Sequence, residues 1–368
     1  MAAGAALLNT STPTTQNAYQ KVASSAASVS RLKAAVLKEG DTDLTILKAS
    51  QLYETIQTQA GKPIVAIKDT PMVLLSKGKK SFVLFRNKTI GTGTYKTASL
   101  GLVVTPDMYI PAAIAVKNRK ESNQSLIKEA KLHFKFNKIP EALKAYEYIS
   151  FEGNEVLILE YCNNGNLKNF LDKYPNDDLL FKSWLAAKMY DPVAKMHQLG
   201  FAHRDLKPEN YLLDNFSNIL RIYLSDFGSV ISLDDIQARS QLSGTMLYLP
   251  PEVVKASHLD GVSKLIPDEI AKTSPENWDK WSFGCILYEL FSNEKLPWDI
   301  GNDRKAAAKH IMSLAKTDPS TWIKKKNIPP AIYKLLLGLF ASDPAKRPSD
   351  KEICDQLEAF RLSTLELP

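Results

Sequence analysis

The chain has 368 residues, 24% charged and 44% hydrophobic. That balance is globular: it excludes a collagen-like rod, a coiled coil and wholesale disorder, and the length allows two or three compact units. The net charge of +7 comes from 47 basic and 40 acidic residues, and residues 1–62 hold only six and four of these. The excess is therefore spread over the chain, as a mixed solvated surface, and no nucleic-acid partner is expected.

No apolar run approaches the roughly 20 residues that a membrane helix needs. Cys162, Cys285 and Cys354 are too far apart for a zinc or redox motif and do not form a disulfide framework. A reducing compartment and a cytoplasmic location are expected. Residues 1–38 hold no acid, four basic residues and nine Ser or Thr. Met1 to Leu8 lacks the basic start and apolar core of a secretory signal. Export as an effector, or targeting to an organelle through residues 1–38, remain the alternatives.

In chain order, Val22, Ala26, Val29 and Val36 predict a helix over 18–37 that stops at Gly40. A second helix is predicted over 43–59, ended by Gly61 and Pro63. Then the texture changes. Residues 63–67 and 72–75 are β-rich runs, 77–80 is a turn, and Phe82 opens a strand that reaches Ile90. This strand enters Gly91-Thr-Gly93-Thr-Tyr-Lys96-Thr-Ala98, and Leu100 to Val104 leaves it. Two glycines let backbone N–H groups come close to phosphate oxygens, but alone the pattern is also that of a plain hairpin. Next, Ala112 to Lys117 is an apolar strand with one lysine at its end. The segment 124–136 places Leu126, Ala130 and Phe134 at helical spacing on a face that would pack against a sheet. After about Leu179 the chain is mostly helical, so the pattern is strands first and helices later, an α+β arrangement.

The most informative stretch is His203-Arg204-Asp205-Leu-Lys207-Pro-Glu-Asn210, followed by Asp226-Phe227-Gly228. Together with the glycine turn and Lys117 upstream, over roughly residues 82–360, the chain resembles the eukaryotic-type protein kinase superfamily. The resemblance implies a two-lobed fold. A small β-rich lobe over 82–162 and a helical lobe over 163–362 follow leading strands at 63–81 and an N-terminal extension at 1–62. It also implies ATP and Mg²⁺ as cosubstrate and metal, and protein substrates.

Residue by residue, the resemblance makes Asp205 the group that orients and deprotonates the substrate hydroxyl, and Lys207 the cation beside the γ-phosphate. Asn210 and Asp226 are the oxygen ligands that Mg²⁺ prefers. Lys117 contacts the α- and β-phosphates and is held by Glu129, with Glu121 as the rival. Gly91, Gly93 and Ala98 roof the nucleotide, and Ala115 and Leu212 sandwich the adenine. Leu159 is the gatekeeper, and Glu160 and Cys162 offer backbone groups to the adenine edge. Glu252 pairs with Arg347, and Asp279 braces the catalytic-loop backbone. Thr245 and Lys207 together resemble the serine/threonine branch. Arg204 marks possible control by activation-segment phosphate, with Ser229, Ser232, Ser240, Ser243 and Thr245 as acceptors.

Several positions depart from the family pattern. Lys96 stands where the third glycine is usual, a place that adds cationic character over the phosphates. Ala98 replaces a valine and Pro250 an alanine, the segment 253–278 is long, and Asn166 stands where arginine-directed kinases carry an acid. These departures keep two other readings open: a catalytically weak pseudokinase or scaffold, and a small-molecule kinase.

Overall fold

A computed structural model describes residues 64–66, 72–77, 80–92, 96–105, 109–117, 126–151, 154–174, 178–216, 219–239, 243–256, 274–301, 303–325 and 327–366. The helices expected over 18–37 and 43–59 lie outside these residues, as do Gly93, Glu121, Ser240 and most of the long 253–278 segment.

Among the described residues, seven antiparallel strands form one sheet: β1 (Ile64–Ala66), β2 (Met72–Lys77), β3 (Lys80–Thr92), β4 (Lys96–Val104), β5 (Tyr109–Lys117), β6 (Ala145–Phe151) and β7 (Asn154–Glu160). Their order is β1-β2-β3-β4-β5-β7-β6. Successive side chains on a strand point to opposite faces, so alternating apolar residues serve two cores. Ala112 and Ile114 of β5, with Val156 and Ile158 of β7, pack on one face with Phe82 and Val103. Ala113, Ala115, Leu157 and Leu159 pack on the other, against α1 (Leu126–Phe136).

α1 presents this face in part as the spacing predicts. Leu126 and Ala130 are buried, but Phe134 is 42% exposed. The inward row continues instead through His133 and Phe136, both buried. At 100° per residue, buried residues 126, 129, 130, 133 and 136 fall between about −80° and +40°, and 134, at about +80°, lies outside that arc. The first turn is held where Leu126 N–H donates to Glu155 Oε2 at 3.3 Å, a carboxylate that also accepts from Tyr148 Oη at 2.6 Å.

The helical part follows β7. α2 (Leu167–Lys173) starts at Asn166, whose side chain accepts from Asn169 N–H. α3 (Leu179–Gln198) starts at Asp178, which caps two N–H groups. The short strands β8 (Phe201–Ala202), β9 (Tyr211–Phe216), β10 (Ile219–Leu224) and β11 (Ile231–Ser232) form two-stranded pairs that carry the loops between them. After α4 (Ile236–Arg239) and α5 (Pro251–Ala256) comes α6 (Glu276–Ser292). Apolar residues surround α6 on all sides, and fourteen of its seventeen residues are buried, the signature of a helix at the centre of a core. α7 (Arg304–Leu314) packs on α5, α8 (Pro330–Leu339) packs directly on α6, and α9 (Asp350–Leu365) packs mainly on α3, all within one apolar core. None of the described helices is long and apolar enough to cross a membrane. The three cysteines are free; Cys162 and Cys285 are buried and Cys354 is partly buried.

Candidate active site

The site forms where the sheet faces the helical part, and its loops are shaped from beneath. Asp279, in the first turn of α6, is fully buried and accepts three hydrogen bonds. His203 N–H donates to Oδ2 and Arg204 N–H to Oδ1, both at 2.7 Å, and His197 Nε2 donates to Oδ2 at 3.0 Å. A carboxylate in the first helical turn also lies at the positive end of the helix dipole. These bonds stabilise Arg204 in a left-handed conformation (φ 66°) that a side chain disfavours. His197 Nδ1 reaches Asp350 at 3.0 Å. Burial alone would lower the pKa of His197, but its two carboxylate partners outweigh this and raise it to about 9.

His203 has a defined tautomer. Asp205 N–H donates to its Nδ1 at 3.3 Å, so Nε2 carries the proton that goes to the Ser225 carbonyl at 3.1 Å. Its ring stands edge-on to Phe227, with centroids 5.9 Å apart. Phe227 is fully buried, and it also meets His133 and Phe136 of α1 at 4.4 and 5.1 Å. One ring stack thus joins the catalytic loop, the Asp226-Phe-Gly turn and α1.

Asp205 is the hub of the catalytic loop. Lys207 Nζ donates to its Oδ2 at 2.9 Å, and Thr245 Oγ1 donates to its Oδ1 at 2.7 Å. Lys207 Nζ also reaches Thr245 Oγ1 at 2.8 Å. Asn210 Nδ2 donates to the Asp205 carbonyl at 2.7 Å, so the amide's other end, its oxygen, is the ligand atom that remains. Asn210 also holds the next turn, its carbonyl accepting from Ser225 N–H at 2.8 Å and from Ser225 Oγ at 2.9 Å.

Asp226 is likewise left-handed, at φ 63°. Its side chain keeps 41% of its surface open to the cleft. Burial would raise its pKa, yet Lys96 and, more distantly, His203 and Lys207 hold it down to about 2, so it is ionised at neutral pH. The resemblance assigns Glu129 to Lys117. Among the described residues the lysine on Glu129 is Lys96: Lys96 Nζ hydrogen-bonds Glu129 Oε1, and donates to Asp226 Oδ1 at 2.9 Å. Burial opposes the charge on Lys96, but the two carboxylates raise its pKa well above the lysine norm. Glu129 is lowered in turn: burial works against its charge, and Lys96 and then His133 overcome it. Lys117 closes β5 directly opposite Lys96 in the β4–β5 register; its side chain lies outside the described residues.

The residues that the resemblance assigns to the nucleotide roof are aligned by strand register. Gly91, Ala98, Ala115 and Leu157 stand side by side across β3, β4, β5 and β7. Ala115, Leu159 and Cys162 belong to the apolar cluster on that face, and Leu212 packs against it from β9. Glu160 N–H donates to the Lys144 carbonyl at 2.9 Å, and the Cys162 carbonyl accepts from Gly165 N–H at 3.4 Å, which fixes the chain path beyond β7. Burial pushes the Cys162 thiol well up, so it is a neutral apolar lining and not a nucleophile.

Farther out, Arg347 donates from Nη1 and Nη2 to the two oxygens of Glu252, at 2.7 and 2.9 Å. The Arg204 guanidinium donates to the carbonyls of Ser229 and Ala238, both at 3.0 Å. Burial, against the help of Asp279 and Asp235, lowers its pKa to about 10. The 246–248 turn is fastened by Trp298 Nε1 to the Leu247 carbonyl and by Ser282 Oγ to the Tyr248 carbonyl, both at 2.7 Å. Gly244 is left-handed at φ 103°, and a Cβ there would stand 2.5 Å from the Arg204 carbonyl oxygen.

Sequence reading placed Lys96 over the phosphates but did not pair it with Glu129 and Asp226. It passed over the His197–Asp350 prop under Asp279, whose only local signal was a histidine near the end of a helix.

Residues 85–357 match the protein kinase domain. The chain is 28% identical over 246 residues to the serine/threonine-protein kinase PKH2 of Saccharomyces cerevisiae, covering 62% of this chain and 21% of that protein. It is 29% identical over 286 residues to 3-phosphoinositide-dependent protein kinase B of Dictyostelium discoideum, covering 75% and 28%. It is 31% identical over 203 residues to the serine/threonine-protein kinase ksg1 of Schizosaccharomyces pombe, covering 51% and 31%. The chain thus spans less than a third of the length of each of these relatives.

Proposed function

The chain belongs to the protein kinase family, and from that premise we propose that it is a serine/threonine protein kinase that moves the γ-phosphoryl group of Mg-ATP to protein hydroxyls. The observation that carries this reading is the Asp205–Lys207–Thr245 triangle, held by hydrogen bonds of 2.7–2.9 Å on a loop that α6 braces. Relatives named as serine/threonine kinases support the same branch.

The donors fit the metal. Asn210 offers an amide oxygen, and Asp226 an ionised and partly open carboxylate; both are hard oxygen ligands of the kind Mg²⁺ takes. Mg²⁺, when bound, neutralises phosphate charge, and ATP supplies the phosphoryl group. The chain's own residues do the rest. Asp205 orients the incoming hydroxyl and accepts its proton. Lys207 lies 2.9 Å from that carboxylate, so its charge sits beside the reacting oxygens. Thr245 ties the activation segment to Asp205, so the catalytic carboxylate and the turn at 246–248 move together. We assign Ala98, Ala115, Leu159, Leu212 and the backbone of Glu160 and Cys162 to the adenine.

The test is phosphotransfer from labelled ATP with Mg²⁺ to a generic protein substrate, beside Asp205→Ala. General-base removal lowers transfer by roughly 10²- to 10⁴-fold, and label is expected on Ser and Thr. Absence of Asp205-dependent transfer to any protein would favour a scaffold. Label confined to a small metabolite would favour a small-molecule kinase.

A further inference from the structure

We propose that Lys96 is the lysine which Glu129 positions against the nucleotide phosphates, so that the phosphate-binding cation of this kinase comes from β4. The assignment rests on the reading of the chain as an ATP-dependent kinase.

Its place is the first argument. Lys96 opens β4, four positions after β3 ends at Thr92, with Gly91 paired to Ala98 two residues on. It therefore stands at the root of the glycine turn whose backbone would cradle phosphates. It is also one strand spacing, roughly 4.8 Å, from the backbone of Lys117.

Its contacts are the second. One ammonium bridges Glu129 of α1 and Asp226 of the loop after β10. Asp226 is a proposed metal ligand, so the ammonium lies beside the place where the phosphates would sit. An ammonium has three N–H donors, and the two carboxylates take two of them. Glu129 is almost fully buried, and a buried carboxylate without a cation is costly. The helix that carries Glu129 is docked by a cation, and among the described residues the lysine that does so is Lys96.

A rival reading makes Lys96 a counter-charge that merely occupies the cleft and gives way to metal. The two readings differ in sign. If Lys96 binds phosphate, its loss weakens nucleotide binding even without metal. If it only competes with metal for Asp226, its loss leaves metal-free ADP binding unchanged and tightens Mg-ATP.

The experiment is equilibrium titration of the full chain with a fluorescent ADP analogue without metal, and with a non-hydrolysable ATP analogue plus Mg²⁺. The variants are Lys96→Ala, Lys96→Arg and Lys117→Ala. The expected result is a Kd raised at least tenfold in both titrations for Lys96→Ala, partial recovery in Lys96→Arg, and a smaller change in Lys117→Ala. Wild-type or tighter binding by Lys96→Ala, with the whole loss in Lys117→Ala, would overturn the proposal. If Lys96→Ala melts before it can be titrated, Lys96→Ala/Glu129→Gln removes the stranded carboxylate as well. The proposal requires the double variant to bind nucleotide weakly, and wild-type affinity there overturns it. A wild-type chain that neither binds nucleotide nor shows Asp205-dependent transfer removes the kinase reading itself, and this assignment with it.

Discussion

Arg347 shows what one side chain holds. Its guanidinium is buried, forked onto Glu252, and also donates to the Asn277 carbonyl at 2.7 Å. Replacing one partner of such a pair leaves the other charge without its counter-ion, at about 3–5 kcal/mol. Arg347→Ala should therefore lower unfolding stability by about 3 kcal/mol in urea titration. The pair Arg347→Met/Glu252→Gln should lose much less, because no charge is left stranded. His197 gives a prediction in pH. Its folded pKa of about 9 lies above the ordinary histidine value of roughly 6.5. The stability it contributes is thus complete below about pH 6.5 and is lost as pH rises through 9, amounting to at most about 3 kcal/mol. Glu289 works in the same direction: burial first, then Glu209, raises it to about 7. The melting temperature should fall from pH 6 to pH 9, and His197→Gln should flatten the upper part of that slope. A wild-type profile flat over this range would sink the assignment of a charged His197.

At the scale of elements, α1 is the part whose position matters most for chemistry, and it is held in three ways. Its start is tied to Glu155, its middle to Lys96, and its end to the Phe227 ring stack. Phe136 is fully buried and touches both Phe201 and Phe227. Phe136→Ala should cost about 3–5 kcal/mol by cavity formation, measured by guanidinium unfolding, and should lower phosphotransfer further by freeing the end of α1. The activation segment is fastened just as closely. Gly244→Ala would press a methyl group onto the Arg204 carbonyl and strain a left-handed backbone. That variant should lose activity with little change in nucleotide affinity, because the adenine and phosphate groups lie elsewhere.

Much of α1 and its partners was legible beforehand, and the reasons are physical. A lysine near a strand end, the His203–Asn210 run and the Asp226-Phe-Gly turn are local in sequence, and their chemistry restricts the residue types. Helix phase was less legible: Phe134 fits a four-residue step, yet the buried row turns to His133 because Phe227 offers a ring there. Which lysine Glu129 holds was not legible at all. Lys96 and Lys117 share a register position, and that Lys96 reaches Glu129 depends on its distance to a helix, which no spacing encodes.

At the scale of the molecule, the sheet and α1 contribute the Lys96–Glu129 pair, and the helical part that follows β7 contributes Asp205, Asn210 and Asp226. The two meet through few main-chain links among the described residues, such as Leu143 N–H to the Leu224 carbonyl and Leu224 N–H to the Glu141 carbonyl, at 2.9 and 2.8 Å. Lys96–Asp226 adds a charged tie across the same cleft. Nucleotide should therefore stiffen the whole molecule. A saturating Mg-ATP analogue at 100 times its Kd should add about 2.7 kcal/mol of apparent stability, read as a rise in melting temperature that Asp226→Asn reduces.

Asp279 carries a consequence for how the protein comes into being. The amides it holds belong to residues 76 and 75 positions earlier in the chain. During synthesis, domains form from the N-terminal end as the chain emerges. The catalytic loop is therefore complete as sequence well before the carboxylate that shapes its backbone has been made. A chain stopped short of α6 would carry Asp205, Lys207, Asn210 and Asp226 and still lack their arrangement. The wiring of the fold thus withholds catalysis from unfinished chains, a proofreading of manufacture that needs no separate inhibitor.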